Sequence, residues 1–360
     1  DAAANGVPLV HIAPPSSAGV SHNQYDQFNV NPNGLILNNS TGATQTQLGG
    51  LIGGNLQMGP TPARILLNEV ITAHPSQLLG TIEIAGRRAD IVIANPNGIT
   101  CDGCSFLNAG RASLATGTPR FGEDGSLSGF DVRQGQLTIG SRGLTATNLE
   151  QLDLIARGMV IEGEIWAKNL NAIAGANQVL YATLQAISQT GNGTGPRFAI
   201  DIKDVGGMYA NHVYLVATEQ GLGVNSQGRM AALQGNLTLS TNGDLTLKDG
   251  YAKQDIHLTS TGNTTLAGQT VSEGNTSIVS GDKVAQSGVV DAQGSLAISA
   301  ARLDNSGELV QRSTGTLNIA TTGAASNSGM IYSAGRLDLR AANFTDSQGT
   351  LLAVDDLSVR

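Results

Sequence analysis

The feature that most constrains the fold of this chain is a repeat in its last third. A frame of the form Gly-x-Leu-x-Leu/Ile recurs with starts at 235, 255, 274, 294, 315, 335 and about 355. A second frame, Gly followed by apolar residues, is interleaved with it at Gly288, Gly307, Gly329 and Gly349. Such self-similarity is typical of solenoids, in which a repeat buries its apolar face only against its neighbours. Two strand signals per repeat predict laps with at least two faces.

Short strands and tight corners also fill the earlier part of the chain. Ile91–Ile93 is a β-branched run, and Asn95-Pro96-Asn97-Gly98 then predicts a turn, since Pro fixes φ and Asn-Gly favours positive φ. Ile99 resumes a strand. Asn31-Pro32-Asn33-Gly34 repeats the turn and also leads into apolar residues. This arrangement is too compact for βαβ units and indicates a chain that coils in small turns.

Composition excludes several functional classes. A net charge of −8 without a Lys/Arg run disfavours nucleic acid as a partner. The apolar stretches are all shorter than the roughly 18 residues that span a bilayer. No Ser/His/Asp arrangement or phosphate-binding loop stands out, and the His residues lack ligand-like spacing, so we expect no catalytic residue, metal or cofactor. Asp102, Asp124 and Asp355-Asp356 lack the regular acidic spacing of a Ca²⁺ loop and are interpreted as solvated corners.

The predicted fold is all-β: a right-handed parallel β-helix with an N-terminal cap and extra-helical β-hairpins. Residues 1–24 are polar and contain Pro, and Val7–Ile12 is the expected capping strand, because an open β-helix end would pair with other chains. One hairpin is expected near 110–135 with its tip at Asp124-Gly125. A second is expected near 189–215, where a Gly-rich run marks a loop.

Four segments together carry a resemblance to a known family: Tyr25–Val30, Gly34–Asn39, Arg64–Val70 and Ala94–Ile99. They resemble the N-terminal secretion (TPS) domain of two-partner secretion exoproteins, the filamentous-haemagglutinin and contact-dependent growth-inhibition family. The resemblance implies a secretion domain over 1–235, followed over 236–360 by the first haemagglutinin-type repeats. The pair Cys101/Cys104 resembles the branch that includes growth-inhibition effectors and secreted haemolysins.

This resemblance also implies a function, a partner and a location. Such a domain is a secretion and targeting module, not an enzyme, and is recognised by the periplasmic domains of a cognate outer-membrane β-barrel transporter. It is exported through the periplasm of a Gram-negative bacterium and folds at the cell surface. The chain lacks an initiator Met, so a secretory signal upstream is an expectation of the resemblance alone. We expect a monomer, with any cell-surface receptor bound through regions beyond 360.

The residues expected to carry the secretion role are those of the shared motifs. They are Asn31, Pro32, Asn33, Gly34, Asn68, Glu69, Asn95, Pro96, Asn97 and Gly98. Two roles remain open for them, recognition by the transporter and nucleation of the fold, and their turn chemistry favours folding. Cys101 and Cys104 are expected to form a local disulfide or to lie as two buried thiols at a corner. No helix follows them and no further ligands flank them, which disfavours redox and zinc sites, and export favours the disulfide.

Two other functional classes are compatible with a β-helix. The chain could be an adhesin shaft that itself binds a cell-surface receptor. It could also be a polysaccharide-active enzyme, but that class needs clustered acids and aromatic residues, and aromatics make up only 4% of this sequence. Trp166, the single Trp, is interpreted as a packing residue, with a binding platform as the alternative.

Overall fold

The computed structural model describes residues 1–360 and consists of strands, turns and loops. None of its segments is a helix of the length and apolarity needed to cross a membrane. The chain divides into unit 1, Asp1–Arg197, and unit 2, Phe198–Arg360. Each unit is a right-handed parallel β-helix, so the predicted fold class is confirmed.

The strands of unit 1 are β1 (Leu9–His11), β2 (Val20–Tyr25), β3 (Leu35–Asn39), β4 (Thr44–Thr46), β5 (Gly50–Ile52), β6 (Ile65–Val70), β7 (Ser76–Leu78), β8 (Thr81–Gly86), β9 (Ala89–Ala94), β10 (Ile99–Cys101), β11 (Cys104–Leu107), β12 (Ala109–Ala115), β13 (Thr118–Phe121), β14 (Leu127–Val132), β15 (Gln136–Ile139), β16 (Leu144–Ala146), β17 (Gln151–Ala156), β18 (Gly158–Ile161), β19 (Glu164–Ala167), β20 (Asn169–Ala174), β21 (Asn177–Leu180) and β22 (Ala186–Ser188).

The strands of unit 2 are β23 (Ile200–Ile202), β24 (Gly207–Ala210), β25 (His212–Ala217), β26 (Val224–Ala232), β27 (Leu237–Thr241), β28 (Leu245–Ala252), β29 (Ile256–Ser260), β30 (Thr264–Leu266), β31 (Gln269–Ser272), β32 (Thr276–Ser280), β33 (Lys283–Gln286), β34 (Val289–Ala292), β35 (Leu296–Ala300), β36 (Arg302–Asn305), β37 (Glu308–Gln311), β38 (Thr316–Thr321), β39 (Ala324–Asn327), β40 (Met330–Ser333), β41 (Arg336–Arg340), β42 (Asn343–Asp346), β43 (Thr350–Ala353) and β44 (Leu357–Val359).

Each lap of unit 1 has three faces of parallel strands. The first face contains β2, β6, β9, β12, β17 and β20; the second contains β7, β10, β15 and β18; and the third contains β3, β8, β11, β16 and β19. Inward side chains stack from lap to lap. Ile99, Leu137 and Met159 lie in register on the second face and are almost fully buried. A lap therefore gains its core from its neighbours, as the repeat pattern predicts.

The N-terminal end of unit 1 is covered by a small cap. Strand β1 lies parallel to β3, and β4 and β5 form an antiparallel hairpin. Ala3, Val7 and Leu9 pack with Ile36, Ile52 and Ala85 in a buried cluster. The predicted capping strand, Val7–Ile12, contains β1, whereas the β4–β5 hairpin was not predicted.

An antiparallel sheet of β13, β14, β21 and β22 stands outside the β-helix coil of unit 1. The β13–β14 hairpin has its tip at Asp124-Gly125, where Gly125 has φ +75° and Gly122 N–H donates to Ser126 O (2.9 Å). It matches the hairpin predicted near 110–135.

The second predicted hairpin, near 189–215, is wrong in position. The hairpin is β21–β22 and ends at Ser188, whereas β23 and β24 pair in parallel with β26 as β-helix strands. The Gly-rich run 191–196 is a loop that follows the completed hairpin. The run marks a loop correctly, but a loop signal does not fix which flanking strands pair with each other.

The repeat frames predicted for unit 2 are strands in register. Leu237, Ile256, Thr276, Leu296, Leu317, Leu337 and Leu357 follow one another on the first face of unit 2. The second frame gives the series β34, β37, β40 and β43. A third series, β30, β33, β36, β39 and β42, was not predicted, because its inward positions alternate apolar side chains with buried Thr264, Gln286, Asn305 and Asn327.

Close stacking of the laps explains the Gly of the second frame. A Cβ on Gly288 would lie 1.9 Å from Gly268 O, one on Gly307 2.1 Å from Gly288 O, and one on Gly329 2.0 Å from Gly307 O. These positions therefore exclude any side chain. The division at Arg197/Phe198 does not coincide with the predicted boundary at 235/236, which refers to the start of the regular repeats and stays a prediction.

Candidate functional site

The two Asn-Pro-Asn-Gly segments form the same local turn. Gly34 N–H donates to Asn31 O (2.9 Å) and Gly98 N–H to Asn95 O (3.1 Å). The first Asn side chain accepts from the amide two residues on, Asn33 N–H at 2.9 Å and Asn97 N–H at 3.0 Å. Asn first, Pro second and Gly fourth are the residue preferences of a type I turn, and the Asn side chain adds an Asx-type bond.

The two turns lie at different corners of the β-helix. Asn31–Gly34 connects Val30, which bridges to Leu78 of the second face, with β3 on the third face. Asn95–Gly98 connects β9 on the first face with β10 on the second face. Gly34 has φ +91° and Gly98 φ +114°. Glycine is therefore required at both positions, because other residues rarely adopt positive φ. The two turns share a sequence motif but do not occupy equivalent corners of the β-helix.

The second turn is bonded to an earlier lap through its side chains. Asn95 is fully buried, and its Nδ2 donates to His74 O (2.8 Å) and to Ser76 Oγ (2.9 Å). Asn97 is half-buried, and its Nδ2 donates to Thr72 O (2.7 Å). These bonds fix the loop between β6 and β7 against the turn. They can form only after both segments have folded together.

The first turn has no comparable bonds to other laps. Asn31, Pro32 and Asn33 are exposed, and the side-chain NH₂ groups of Asn31 and Asn33 make no hydrogen bond within the chain. Every side-chain bond of this turn lies within the turn itself. The turn can therefore form before the laps stack, and it leaves the side-chain NH₂ groups of Asn31 and Asn33 available to a partner.

Asn68 and Glu69 lie side by side on β6 but face opposite directions. Asn68 is fully buried; its Nδ2 donates to Leu66 O and Val92 O, both at 3.3 Å, and its Oδ1 accepts from the Tyr25 hydroxyl at 3.1 Å. Burial raises the pKa of Tyr25, which therefore remains a neutral donor. Glu69 Oε2 lies 2.6 Å from His22 Nε2, on the preceding lap. Both residues connect β6 to β2.

Cys101 and Cys104 are joined by a disulfide at the corner after β10. Both residues are buried, and the corner is completed by Asp102, whose Oδ1 accepts from Arg142 N–H (2.8 Å) and whose Oδ2 accepts from Arg142 Nε (3.0 Å). These two bonds lower the pKa of Asp102. No group of His, Cys, Asp or Glu in the described chain could hold a metal ion.

Sequence reasoning missed a buried ionic cluster beneath the extra-helical sheet. Arg111 Nε lies 2.5 Å from Asp153 Oδ2, and Ser113 Oγ donates to the same oxygen at 2.9 Å. The Arg111 guanidinium lies 4.0 Å from the centre of the Tyr181 ring and donates to Tyr181 O (2.9 Å). An isolated Arg and Asp within apolar strands, in a chain with few charges, was the only signal in the sequence.

A second missed residue is Asn39 on β3. Its Nδ2 donates to Ala63 O (3.0 Å) and Arg87 O (2.9 Å), and its Oδ1 accepts from Ala63 N–H (2.8 Å). It lies within a segment that carries the family resemblance, so the motif signal was available. Its role is to close the excursion that leaves the β-helix after β3.

Comparison with known proteins gives the family. The model of the TPS secretion domain matches residues 1–247. "tRNA nuclease CdiA-2" of Burkholderia pseudomallei (strain 1026b) is 49% identical over 245 residues, 68% of this chain and 8% of that protein. "Toxin CdiA" of Escherichia coli is 38% identical over 363 aligned positions, 100% of this chain and 11% of that protein. The chain thus spans about a tenth of the length of these relatives.

The fold also matches a solved structure. The crystal structure of the filamentous hemagglutinin secretion domain superposes with a TM-score of 0.67 at 32% identity, covering 87% of this chain and 94% of that one. The chain belongs to the TPS secretion domain family, the module of exported exoproteins of Gram-negative bacteria that uses a cognate outer-membrane transporter to pass from the periplasm to the cell surface.

Proposed function

We propose that the two turns of this secretion module have different tasks. The Asn31–Gly34 turn is offered to the transporter, and the Asn95–Gly98 turn secures the folded laps. The observation that carries this division is that the side-chain NH₂ groups of Asn31 and Asn33 have no partner in the chain, whereas those of Asn95 and Asn97 donate to Thr72, His74 and Ser76. Because its bonds are local, the first turn is present in a chain that has not yet folded.

This division fits export of an unfolded chain. The periplasmic domains of the transporter bind the secretion domain before its laps have formed, so they can recognise only local structure. Extended segments on either side of the first turn can add as strands to a sheet edge of the partner. Outside the cell, β6 and β7 become fixed to the second turn, and Asn68 and Glu69 join β6 to β2. Each lap then provides a template for the next.

The experiment compares export of residues 1–360, carrying a native signal peptide, from cells with and without the cognate transporter. Asn33→Ala is expected to reduce transporter-dependent export while the purified chain unfolds at the same urea concentration as the wild type. Asn97→Ala is expected to lower the stability of the purified chain, because it leaves Thr72 O without its donor. Asn343→Ala is the matched control, since Asn343 is also exposed and lies in unit 2.

Two results would contradict this proposal. Normal export of Asn33→Ala would remove the transporter contact and leave both turns with a folding role. Equal release with and without the transporter would exclude recognition altogether.

We further propose that the full-length protein is a contact-dependent growth-inhibition toxin whose enzymatic part lies beyond residue 360. Two relatives that match this chain are named a tRNA nuclease and a toxin, and the chain covers only about a tenth of each. Residues 1–235 then serve as the secretion domain, and residues 236–360 form the first repeats of the shaft. The protein is a monomer without affinity for nucleic acid. A receptor is bound through regions beyond residue 360. Cytosolic expression of residues 1–360 is expected to leave growth and tRNA intact. Cleavage of tRNA by this segment alone would overturn the assignment.

A further inference from the structure

A polar cleft of about 370 Å³ opens on the outer surface of unit 2, between strands β26, β28 and β31. It is lined by Arg229, Asp249, Gly250, Tyr251, Gln269 and Val271. Arg229 lies in register with Asp249, and Ala231 with Tyr251, which is followed one lap on by Val271. Gly250 contributes backbone to the cleft wall, since a Cβ at this position would point into the core, 2.9 Å from Leu247 Cδ2. The family resemblance and the secretion role do not explain this cleft.

The polar groups of the cleft have unused hydrogen-bonding capacity. The Arg229 guanidinium and the Gln269 side-chain amide make no hydrogen bond or ion pair within the chain. Asp249 Oδ1 accepts from Gln269 N–H (2.9 Å), which orients the carboxylate and leaves its other oxygen without a partner. A concave site in which a few polar groups converge beside an aromatic ring is the usual form of a ligand site.

The aromatic ring is held in place before any ligand arrives. The Tyr251 hydroxyl donates to Glu273 Oε1 (2.7 Å), and Glu273 is also paired with Lys253. Lys253 and Glu273 are both exposed, so their ion pair contributes little to the free energy of folding. Its effect is to orient the Glu273 carboxylate that accepts from the Tyr251 hydroxyl. A ring that is already ordered loses less entropy when a ligand binds.

We propose that this cleft binds a neutral oligosaccharide. Arg229 and Asp249 line the cleft with opposite charges, and Lys253 is paired with Glu273, so these four groups carry no net charge that would favour an anionic or a cationic ligand. Neighbouring hydroxyls of a sugar match the two-pronged donor of Arg229 and the free acceptor oxygen of Asp249. The C–H face of a pyranose packs on an aromatic ring, which Tyr251 supplies. Asp249 is the only carboxylate lining the cleft, and glycoside cleavage uses a pair, so the site binds without hydrolysis.

The place where the folded chain exists favours the same ligand class. The cleft is formed by three successive laps, and the family reaches the cell surface, where polysaccharides surround the folded protein. The inference does not depend on how the transporter recognises the first turn. The neutral glycan can belong to the producing cell or to a neighbouring cell, since both present the same chemistry.

The test is a titration of purified residues 1–360 with cellohexaose and maltohexaose as neutral probes and hexagalacturonate as an anionic probe of equal length. Saturable binding of at least one neutral hexamer is expected, with hexagalacturonate weaker. Tyr251→Ala is expected to lower the affinity at least tenfold, and Arg229→Gln and Asp249→Asn several-fold. Tyr251→Phe keeps the ring without its bond to Glu273, so its loss should be smaller than that of Tyr251→Ala.

Tyr332→Ala is the matched control. Tyr332 follows Tyr251 along the same outward column through Val271, Asp291 and Val310, and it does not line the cleft. The Tyr332→Ala variant should bind the neutral hexamers with the affinity of the wild type. Thermal unfolding of every variant checks that the laps remain intact.

Polysaccharide extracted from producing cells and from neighbouring cells, tested in parallel, identifies the source of the glycan. The proposal is overturned if no neutral hexamer binds the wild type, if Tyr332→Ala loses as much affinity as Tyr251→Ala, or if hexagalacturonate binds more tightly than the neutral probes.

Discussion

At the scale of single residues, the two Asn-Pro-Asn-Gly turns show that one sequence motif can contribute differently to stability at two places in the fold. The local bonds of Asn95–Gly98 and Asn31–Gly34 are alike, and only the second turn places a fully buried Asn between laps. A buried amide with satisfied donors contributes modestly to stability, but removing it leaves its acceptors unpaired. The contribution of each Asn to the free energy of unfolding therefore depends on whether its side chain bonds to a neighbouring lap.

Asn95→Ala is expected to lower the free energy of unfolding by about 2–4 kcal/mol, because His74 O and Ser76 Oγ both lose a donor. Asn31→Ala, which removes only a bond within an exposed turn, should cost about 1 kcal/mol or less. Urea unfolding of the two purified variants measures the difference. Equal losses would show that the bonds between laps contribute nothing beyond the turn.

Asp90 gives a prediction of pH dependence. Burial raises the pKa of Asp90, although Arg111 and the Tyr181 hydroxyl, 3.3 Å from Asp90 Oδ2, oppose the shift, and Asp153 adds a like charge nearby. An acid with a raised folded pKa favours folding at pH below its unfolded pKa, and this contribution is lost as pH rises through the folded pKa. Asp90→Asn is therefore expected to raise the melting temperature slightly at pH 7, with the gain disappearing below about pH 4. A gain that increases on acidification would contradict this sign.

At the scale of elements, the extra-helical sheet is attached to the first face by the cluster of Arg111, Asp153 and Tyr181. The Asp153 side chain is completely buried, so its charge depends on Arg111 and on the donors Ser113, Gln151 and Asn171. Phe130 of β14 meets Tyr181 edge-on, with ring centres 6.3 Å apart. A second aromatic contact, between Phe121 of β13 and His22 of β2, and hydrogen bonds from Ser16 and Ser17 to the hairpin tip add to this attachment.

Arg111→Met is expected to cost about 3 kcal/mol, because it leaves the buried Asp153 charge uncompensated. The same change should expose β13 and β14 to proteolysis, since Tyr181 loses its cation–π partner. Arg111→Met combined with Asp153→Asn removes both charges and should recover part of the stability. If the double variant is less stable than Arg111→Met alone, uncompensated charge is not the cause.

The elements also show what the sequence can predict. Inward Leu and Ile residues recur once per lap on the first face of unit 2, so the period and the strands follow from the pattern alone. The series β30, β33, β36, β39 and β42 could not be predicted from an apolar pattern, because Gln286, Asn305 and Asn327 are buried polar residues of these strands. They form hydrogen bonds, such as the one from Asn305 Nδ2 to Asn327 Oδ1 (2.8 Å).

The turn chemistry of Asn97 was predictable from the motif, but its partner Thr72, 25 residues earlier, was not. That contact depends on the register between laps, which no local pattern contains.

At the scale of the whole molecule, the regular laps of unit 2 make stability a sum of contacts between neighbours. Ile256, Thr276 and Leu296 succeed one another at intervals of 20 residues on the first face. Asn275 N–H donates to Asp255 Oδ1 (2.7 Å), and Ser295 N–H repeats that bond to Asn275 Oδ1 (2.9 Å) one lap later. One lap can therefore replace another in both packing and hydrogen bonding.

Deletion of residues 274–293, one complete lap, is expected to leave unit 2 folded. Leu296 takes the place of Thr276 opposite Ile256, and Ser295 takes that of Asn275 opposite Asp255. The β-sheet circular dichroism per residue should stay unchanged, and urea unfolding should remain cooperative with a modest loss of stability. Deletion of 274–283 is the matched control, because half a lap moves every later inward side chain out of register and should abolish cooperative unfolding. If the two deletions are equally damaging, stability in unit 2 is not a sum over neighbouring laps.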